Sequence, residues 1–182
     1  LDVERPLLQE KLEGVEAGLK KGLENLNWNS HHIDDYIAEV MTKVKEVDSI
    51  LTVLKTNVAD TQKILQGWVS NIMFISRKDN KVYSYNELKS AFKEVIELRH
   101  STISDEGKEI VKLLSSSNRT LKISKAAPPW KHYVDYVSDI VISGFADTIT
   151  ATINHVHQQL EPESIARNEL GPLLEVQLEL VP

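Results

Sequence analysis

The sequence predicts a mostly α-helical protein: an elongated bundle of long, coiled-coil-like helices with one β-strand at its C-terminal end. Three observations support this class. The 182 residues include only 7 Gly and 6 Pro, fewer turn-forming residues than an all-β fold needs. Apolar residues recur at steps of four and three along most of the chain, which is the spacing of one helix face. Clean alternation with period two, the pattern of a half-buried strand, occurs only in the last ten residues.

Composition narrows the classes of function. The formal net charge is −6, so a nucleic acid is not expected as the main partner. The absence of cysteine excludes disulfides, thiolate zinc sites and cysteine nucleophiles. No apolar run approaches the roughly 20 residues that cross a bilayer, so we expect no membrane segment. The chain opens at Leu1 without a methionine and stops at Pro182, so we expect it to be a fragment.

The first two predicted helices cover about residues 6–26 and 31–73. Pro6 favours the start of the first, and Ser30 is the expected N-cap of the second. A seam of twelve positions follows in the second helix, apolar at all but Thr61, and its regularity predicts coiled-coil-like packing. The seam consists of Ile33, Ile37, Val40, Val44, Val47, Leu51, Leu54, Val58, Thr61, Leu65, Trp68 and Ile72. The positions expected to be packing residues are Ile37, Val44, Leu51, Leu54, Val58 and Trp68.

The third and fourth predicted helices cover about residues 85–117 and 130–160. Ser84 and Glu87 match a capping box at the start of the third helix. Its apolar pattern weakens around Ser101–Gly107, which predicts a kink or break, and Ser115–Asn118 suggests fraying at its end. Trp130 opens the fourth helix, where Trp130, Tyr133 and Val137 are the expected packing residues.

Residues 173–182 form the predicted strand, and residues 1–172 the predicted helical bundle. Leu174, Val176, Leu178 and Leu180 point to one side of this strand. An isolated strand leaves its backbone donors and acceptors unpaired, so we expect it to pair with a chain segment outside these residues.

The motifs that usually carry chemistry are missing. No G-x-x-x-x-G-K-[ST] sequence is present, so we expect no nucleotide-binding loop. His31-His32 and His155-x-His157 have spacings that do not bring two rings to one metal ion on a helix face. We therefore expect no catalytic, cofactor or metal residues. Three tryptophans remain, which we interpret as anchors between packed helices: Trp28, Trp68 and Trp130.

The order of several short motifs resembles the tail of dynein heavy chains, most closely the beta type of axonemal outer arms. The similarity extends over nearly the whole chain. It rests on Leu26-Asn27-Trp28, Lys55-x-Asn57-Val58, Trp68, Trp130-Lys131-x-Tyr133-Val134, Ile140-Val141, Gly144-Phe145 and Pro172–Val181. Asn71–Phe74, just after Trp68, departs from the Pro-containing version of this pattern.

This resemblance implies a non-catalytic piece of a ciliary or flagellar microtubule motor. The segment would belong to the distal stem, with residues 173–182 at the start of the linker. The ring that binds ATP and Mg²⁺ and the microtubule-binding stalk would lie outside it. The implied partners are the rest of the heavy chain, other heavy chains, and intermediate and light chains. The implied location is the cytoskeleton of the axoneme.

A spectrin-like or tethering helical scaffold without a motor is the main alternative. Long heptad helices with embedded tryptophans suit such a protein. However, no repeat of about 100 residues is visible, and a terminal strand has no role in a spectrin array. Neighbouring coding sequence with several nucleotide-binding loops would decide between the two.

Overall fold

The structure, a computed structural model, describes residues 3–27, 29–71 and 83–160. These residues form four α-helices: α1 (Glu4–Asn25), α2 (Ile33–Ser70), α3 (Tyr85–Leu121) and α4 (Pro128–Leu160). The mostly α-helical class is therefore confirmed. The predicted strand at 173–182 lies outside the described residues and stays a prediction.

The predicted capping box at the start of α3 is present. The backbone N–H of Ser84 donates to Glu87 Oε2 at 2.9 Å, and the N–H of Glu87 donates to Ser84 Oγ at 3.4 Å. At the start of α2 the prediction is wrong. Ser30 Oγ accepts from the N–H of Asn27 at 3.0 Å and so closes the preceding turn, and α2 begins three residues later at Ile33.

Of the kink or break predicted near Ser101–Gly107, the break is wrong, because α3 is helical without interruption from Tyr85 to Leu121. Buried side chains on α3, such as Arg99 and Ile110, show that tertiary packing stabilises the helix despite its weak local pattern. The predicted fraying at Ser115–Asn118 does not occur either. The helix ends at Leu121, and the next residue, Lys122, adopts the left-handed conformation (φ 54°) and donates its N–H to Asn118 O at 3.0 Å.

The described residues belong to two compact units. The first contains α1, α2 up to Lys63, α3 from Glu109 and α4 up to Val141. The second contains the remaining parts of α2, α3 and α4. The core of the first unit consists of Leu7, Leu8, Ile50, Leu54, Leu121, Trp130, Tyr133 and Val137.

Burial along α2 differs from the predicted seam, and the coiled-coil packing is not confirmed. Ile37 and Val44, both on the seam, are 50% and 38% exposed, whereas Ile50, which is off it, is buried. The burial differs along α2 because the core packs against only part of this helix. The core of the first unit reaches α2 only from Val47 onwards, so the seam upstream of Val47 does not face that core.

Candidate packing and interaction sites

Three helices of the first unit meet at a polar network. Asn57 on α2 donates its side-chain N–H groups to the backbone carbonyl of Leu113 at 3.1 Å and to Ser117 Oγ at 2.8 Å, both on α3. Tyr133 on α4 lies beside Ser117, close enough for its hydroxyl to interact with that of the serine. Because Ser117 is fully buried and Tyr133 is 1% exposed, each polar group needs its partner inside the protein.

Burial changes the acidity of Tyr133. Removal from water disfavours the phenolate and raises the pKa of Tyr133 above its usual value, although the hydrogen bond with Ser117 acts in the opposite direction. Tyr133 is therefore neutral over the physiological pH range.

Aromatic rings on α4 pack beside this network. The ring centroids of Trp130 and Tyr133 are 5.6 Å apart, and those of Tyr133 and Tyr136 are 6.4 Å apart. Trp130, Tyr133 and Val137 are all buried, so the fourth helix presents these three predicted packing residues to the core.

Trp68 on α2 anchors the second unit and is 2% exposed. Its indole N–H donates to Glu106 Oε2, and its ring lies 4.7 Å from that of Phe145 between centroids. Its backbone carbonyl accepts from Arg99 Nη2 at 2.8 Å. Trp68 therefore contacts both other helices of this unit.

Arg99 is a buried cation, 8% exposed. Loss of hydration lowers the pKa of its guanidinium, while the nearby carboxylate of Glu106 raises it. Arg99 Nε has no hydrogen-bond partner among the described residues. The arginine thus depends on Glu106 and the Trp68 carbonyl for compensation of its buried charge.

At two positions, helices approach each other so closely that only a glycine fits. A Cβ at Gly144 on α4 would lie 2.8 Å from Leu65 Cδ2 on α2. A Cβ at Gly22 on α1 would overlap the phenol of Tyr36 on α2. The Tyr36 hydroxyl donates to the backbone carbonyls of Gly18 at 3.1 Å and Leu19 at 3.3 Å, which attaches α2 to the C-terminal half of α1.

Beside that contact, five large apolar side chains are exposed. We call this set the α1–α2 face: Leu19, Leu23, Ile37, Met41 and Val44. In the second unit, large apolar side chains are exposed on α3 and α4, namely Tyr85, Phe92, Ile96, Leu98, Ile142, Phe145, Ile149 and Ile153.

The remaining predicted packing residues fall into two groups. Leu54 is fully buried, and Leu51 and Val58 are partly buried against the core of the first unit. Trp28, Leu174, Val176 and Leu178 lie outside the described residues. Sequence reasoning missed Asn57, Ser117, Arg99 and Glu106 as packing residues. The sequence signal that could have identified Asn57 is its place next to Val58, because a polar residue beside an apolar seam can be buried with it.

Metal-ligating side chains are scattered within residues 3–27, 29–71 and 83–160. No group of three His, Cys, Asp or Glu side chains there could hold a metal ion. His32 Nδ1 lies 3.5 Å from Asp35 Oδ2, and both side chains are more than four-fifths exposed. In the same ranges, no helix is long and apolar enough to cross a membrane.

Sequence comparison identifies the relatives of this chain. The flagellar outer-arm dynein beta chain of Chlamydomonas reinhardtii is 52% identical over 181 residues, which cover 100% of this chain. The chain is homologous to a segment of axonemal dynein heavy chains. The ciliary dynein beta chain of Tripneustes gratilla is 32% identical, and human dynein axonemal heavy chain 9 is 27% identical, each over 180 residues and 99% of this chain.

The homologous segment is short in each dynein. The chain spans about 4% of the length of these curated relatives. No protein-family model matches it. The resemblance to dynein heavy chains inferred from the motif order is confirmed by these relatives, which give no support to a spectrin-like scaffold.

Proposed function

We propose that this chain is a non-catalytic stem segment of an axonemal dynein heavy chain, a microtubule motor of cilia and flagella. The observation that supports it is 52% identity to an outer-arm beta chain along the whole sequence. In this proposal the segment connects the ATPase ring and linker to the tail and contacts neighbouring dynein subunits. Residues 173–182 begin the linker.

The proposal assigns ATP and Mg²⁺ to a ring outside this chain. The residues present do not fit either ligand, because the sequence has no nucleotide-binding loop and the described residues hold no cluster of metal-ligating side chains. The role left for the segment is mechanical. Long helices held together by buried contacts can transmit displacement between the two ends of a stem.

The test uses the full-length heavy chain carrying Leu54→Asp, which places a carboxylate at a fully buried position. Lys55→Asp, at the exposed neighbouring position, is the matched control. We expect Leu54→Asp to leave basal ATP turnover within twofold of the unmodified protein while microtubule gliding slows at least fivefold. Lys55→Asp should change neither. If ATP turnover falls together with gliding, the segment acts in turnover itself and a purely mechanical role is wrong.

A further inference from the structure

The α1–α2 face is continuous across the two helices. Tyr36 and Gly22 bring the C-terminal half of α1 against the start of α2, so the helices are antiparallel here. Leu19 and Leu23 are four residues apart on α1, and Ile37, Met41 and Val44 are spaced by four and three on α2. Such spacings place each set on one helix side. Leu19 and Leu23 each follow a contact glycine by one position, and Ile37 and Met41 follow Tyr36 and Val40 in the same way. Because the two helices are antiparallel, a step of one position from the contact turns to the same side of the pair on both helices.

The core of the first unit does not reach this face. Its contacts extend along α1 to Leu12 and along α2 from Val47. In the region between, α1 and α2 contact each other through Tyr36, Gly18 and Val40. The five side chains remain exposed, Leu23 by 87%.

The row of α2 residues that includes Ile37 and Val44 continues into the part of the helix that packs against the core of the first unit. Ile37, Val44, Leu51 and Val58 are seven residues apart, so they lie in one row along the helix. Leu51 and Val58 pack against the core of the first unit. Around Val58 the covering residues come from helices: Leu113 and Leu114 on α3, and Tyr133 and Val137 on α4. Ile37 and Val44 continue this row, and no helix within residues 3–27, 29–71 and 83–160 covers them.

The surrounding charge argues against a membrane or a nucleic acid as the occupant. The side chains three or four positions from the face carry both signs: Glu16, Lys20, Asp34, Lys45 and Asp48. A polyanionic surface would need a cluster of Lys and Arg instead. Five apolar side chains along two adjacent helices suit one inserted helix. They do not suit a second copy of this chain, because two globular surfaces need roughly 20 residues on each side for a stable interface.

We propose that the α1–α2 face binds an amphipathic α-helix of a partner protein, with apolar side chains at alternating steps of four and three. The partner helix covers Ile37 and Val44 in the same way that α3 and α4 cover the row around Val58. The inference rests on the proposed function in one respect: the proposed function includes contact with neighbouring subunits, and the α1–α2 face is assigned as the surface of such a contact.

The experiment uses the full-length heavy chain in its assembled state, with p-benzoylphenylalanine in place of Met41 as the photo-crosslinking probe. The control carries the probe in place of Thr42, which is also exposed but lies on another side of α2. We expect the probe at position 41 to crosslink at least tenfold more efficiently than the probe at position 42. The crosslinked peptide should carry an apolar stripe at steps of four and three. Absence of a crosslink, equal crosslinking at 41 and 42, capture of the same face of a second copy, or capture of a segment without this stripe would each overturn the proposal.

A second measurement guards against misfolding of the probe variant. Ile37→Asp should weaken binding of the crosslinked partner at least tenfold, while Thr42→Asp should leave it within twofold. Basal ATP turnover and helix content should remain unchanged in both variants. Partner binding unaffected by Ile37→Asp contradicts the inference. The proposed function is judged separately, because its test compares gliding with ATP turnover in Leu54→Asp.

Discussion

The guanidinium of Arg99 on α3 donates a hydrogen bond to the backbone carbonyl of Trp68, which lies in the last turn of α2. Carbonyls in a last helical turn lack the N–H partner that interior carbonyls have. The positive charge also lies at the negative end of the helix dipole. Arg99 therefore caps α2 from a different helix, while Glu106 accepts from the indole of the same tryptophan.

We expect Arg99→Met to lower the free energy of unfolding by about 1–3 kcal/mol, since it removes the donor to a buried carbonyl and the cation next to Glu106. Lys89→Met, an exposed substitution on the same helix, should change it by about 0.5 kcal/mol or less. Urea denaturation of the two variants measures the difference. Equal effects would mean that the arginine contributes no more than a surface residue.

Positions of one heptad seam should differ strongly in their contribution to stability. We expect Leu54→Ala to cost about 2–5 kcal/mol, because it creates a cavity at a side chain with no exposed surface. Ile37→Ala, half exposed on the same seam, should cost about 1 kcal/mol or less, and Lys55→Ala about 0.5 kcal/mol or less. Denaturation midpoints at constant m-value give the comparison. A uniform seam would instead show similar losses at Leu54 and Ile37.

The same glycine-to-alanine change should have opposite signs at two positions of α1. At Gly14 an added Cβ meets nothing within 4 Å, so the better helix propensity of alanine should stabilise the protein by about 0.5–1 kcal/mol. At Gly22 the Cβ overlaps the phenol of Tyr36, and we expect a net destabilisation of about 1–3 kcal/mol. Thermal unfolding of both variants checks the signs. Stabilisation by Gly22→Ala would contradict the close contact with Tyr36.

The raised pKa of Tyr133 predicts a loss of stability at alkaline pH. The folded state keeps the phenol protonated to a higher pH than the unfolded state does. The stabilisation is therefore fully present below the unfolded pKa of about 10 and is lost as the pH rises through the folded value. We expect the difference in unfolding free energy, measured by urea denaturation, between the unmodified chain and Tyr133→Phe to shrink as the pH rises above about 10.

Helix type and approximate extent could be predicted from the sequence because spacing and capping are local properties. The capping box at Ser84 and Glu87 is an example, since its two residues are three positions apart. Which part of a seam is buried depends on neighbouring helices that are remote in sequence. Ile37 and Leu54 have the same local pattern, yet only Leu54 faces α3 and α4 of the first unit. For this reason the α1–α2 face could not be predicted from spacing.

Polar packing residues were unpredictable for the same reason. Ser117 belongs to a run of serines that suggests a frayed helix end, but its hydroxyl pairs with Asn57, 60 positions away. Arg99 resembles any charged residue of an amphipathic helix until Trp68 is placed beside it. Only tertiary structure identifies the partners of such side chains.

The polar network around Asn57 has a consequence for a protein under tension. A regular apolar seam offers little resistance to a shift by one heptad, about 10 Å along the axis, because apolar side chains meet apolar side chains again. Such a shift would separate Asn57 from Ser117 and from the Leu113 carbonyl, leaving buried donors and acceptors without partners. The network therefore resists sliding of α2 along α3, so that a pull along α2 moves α3 of this unit with it.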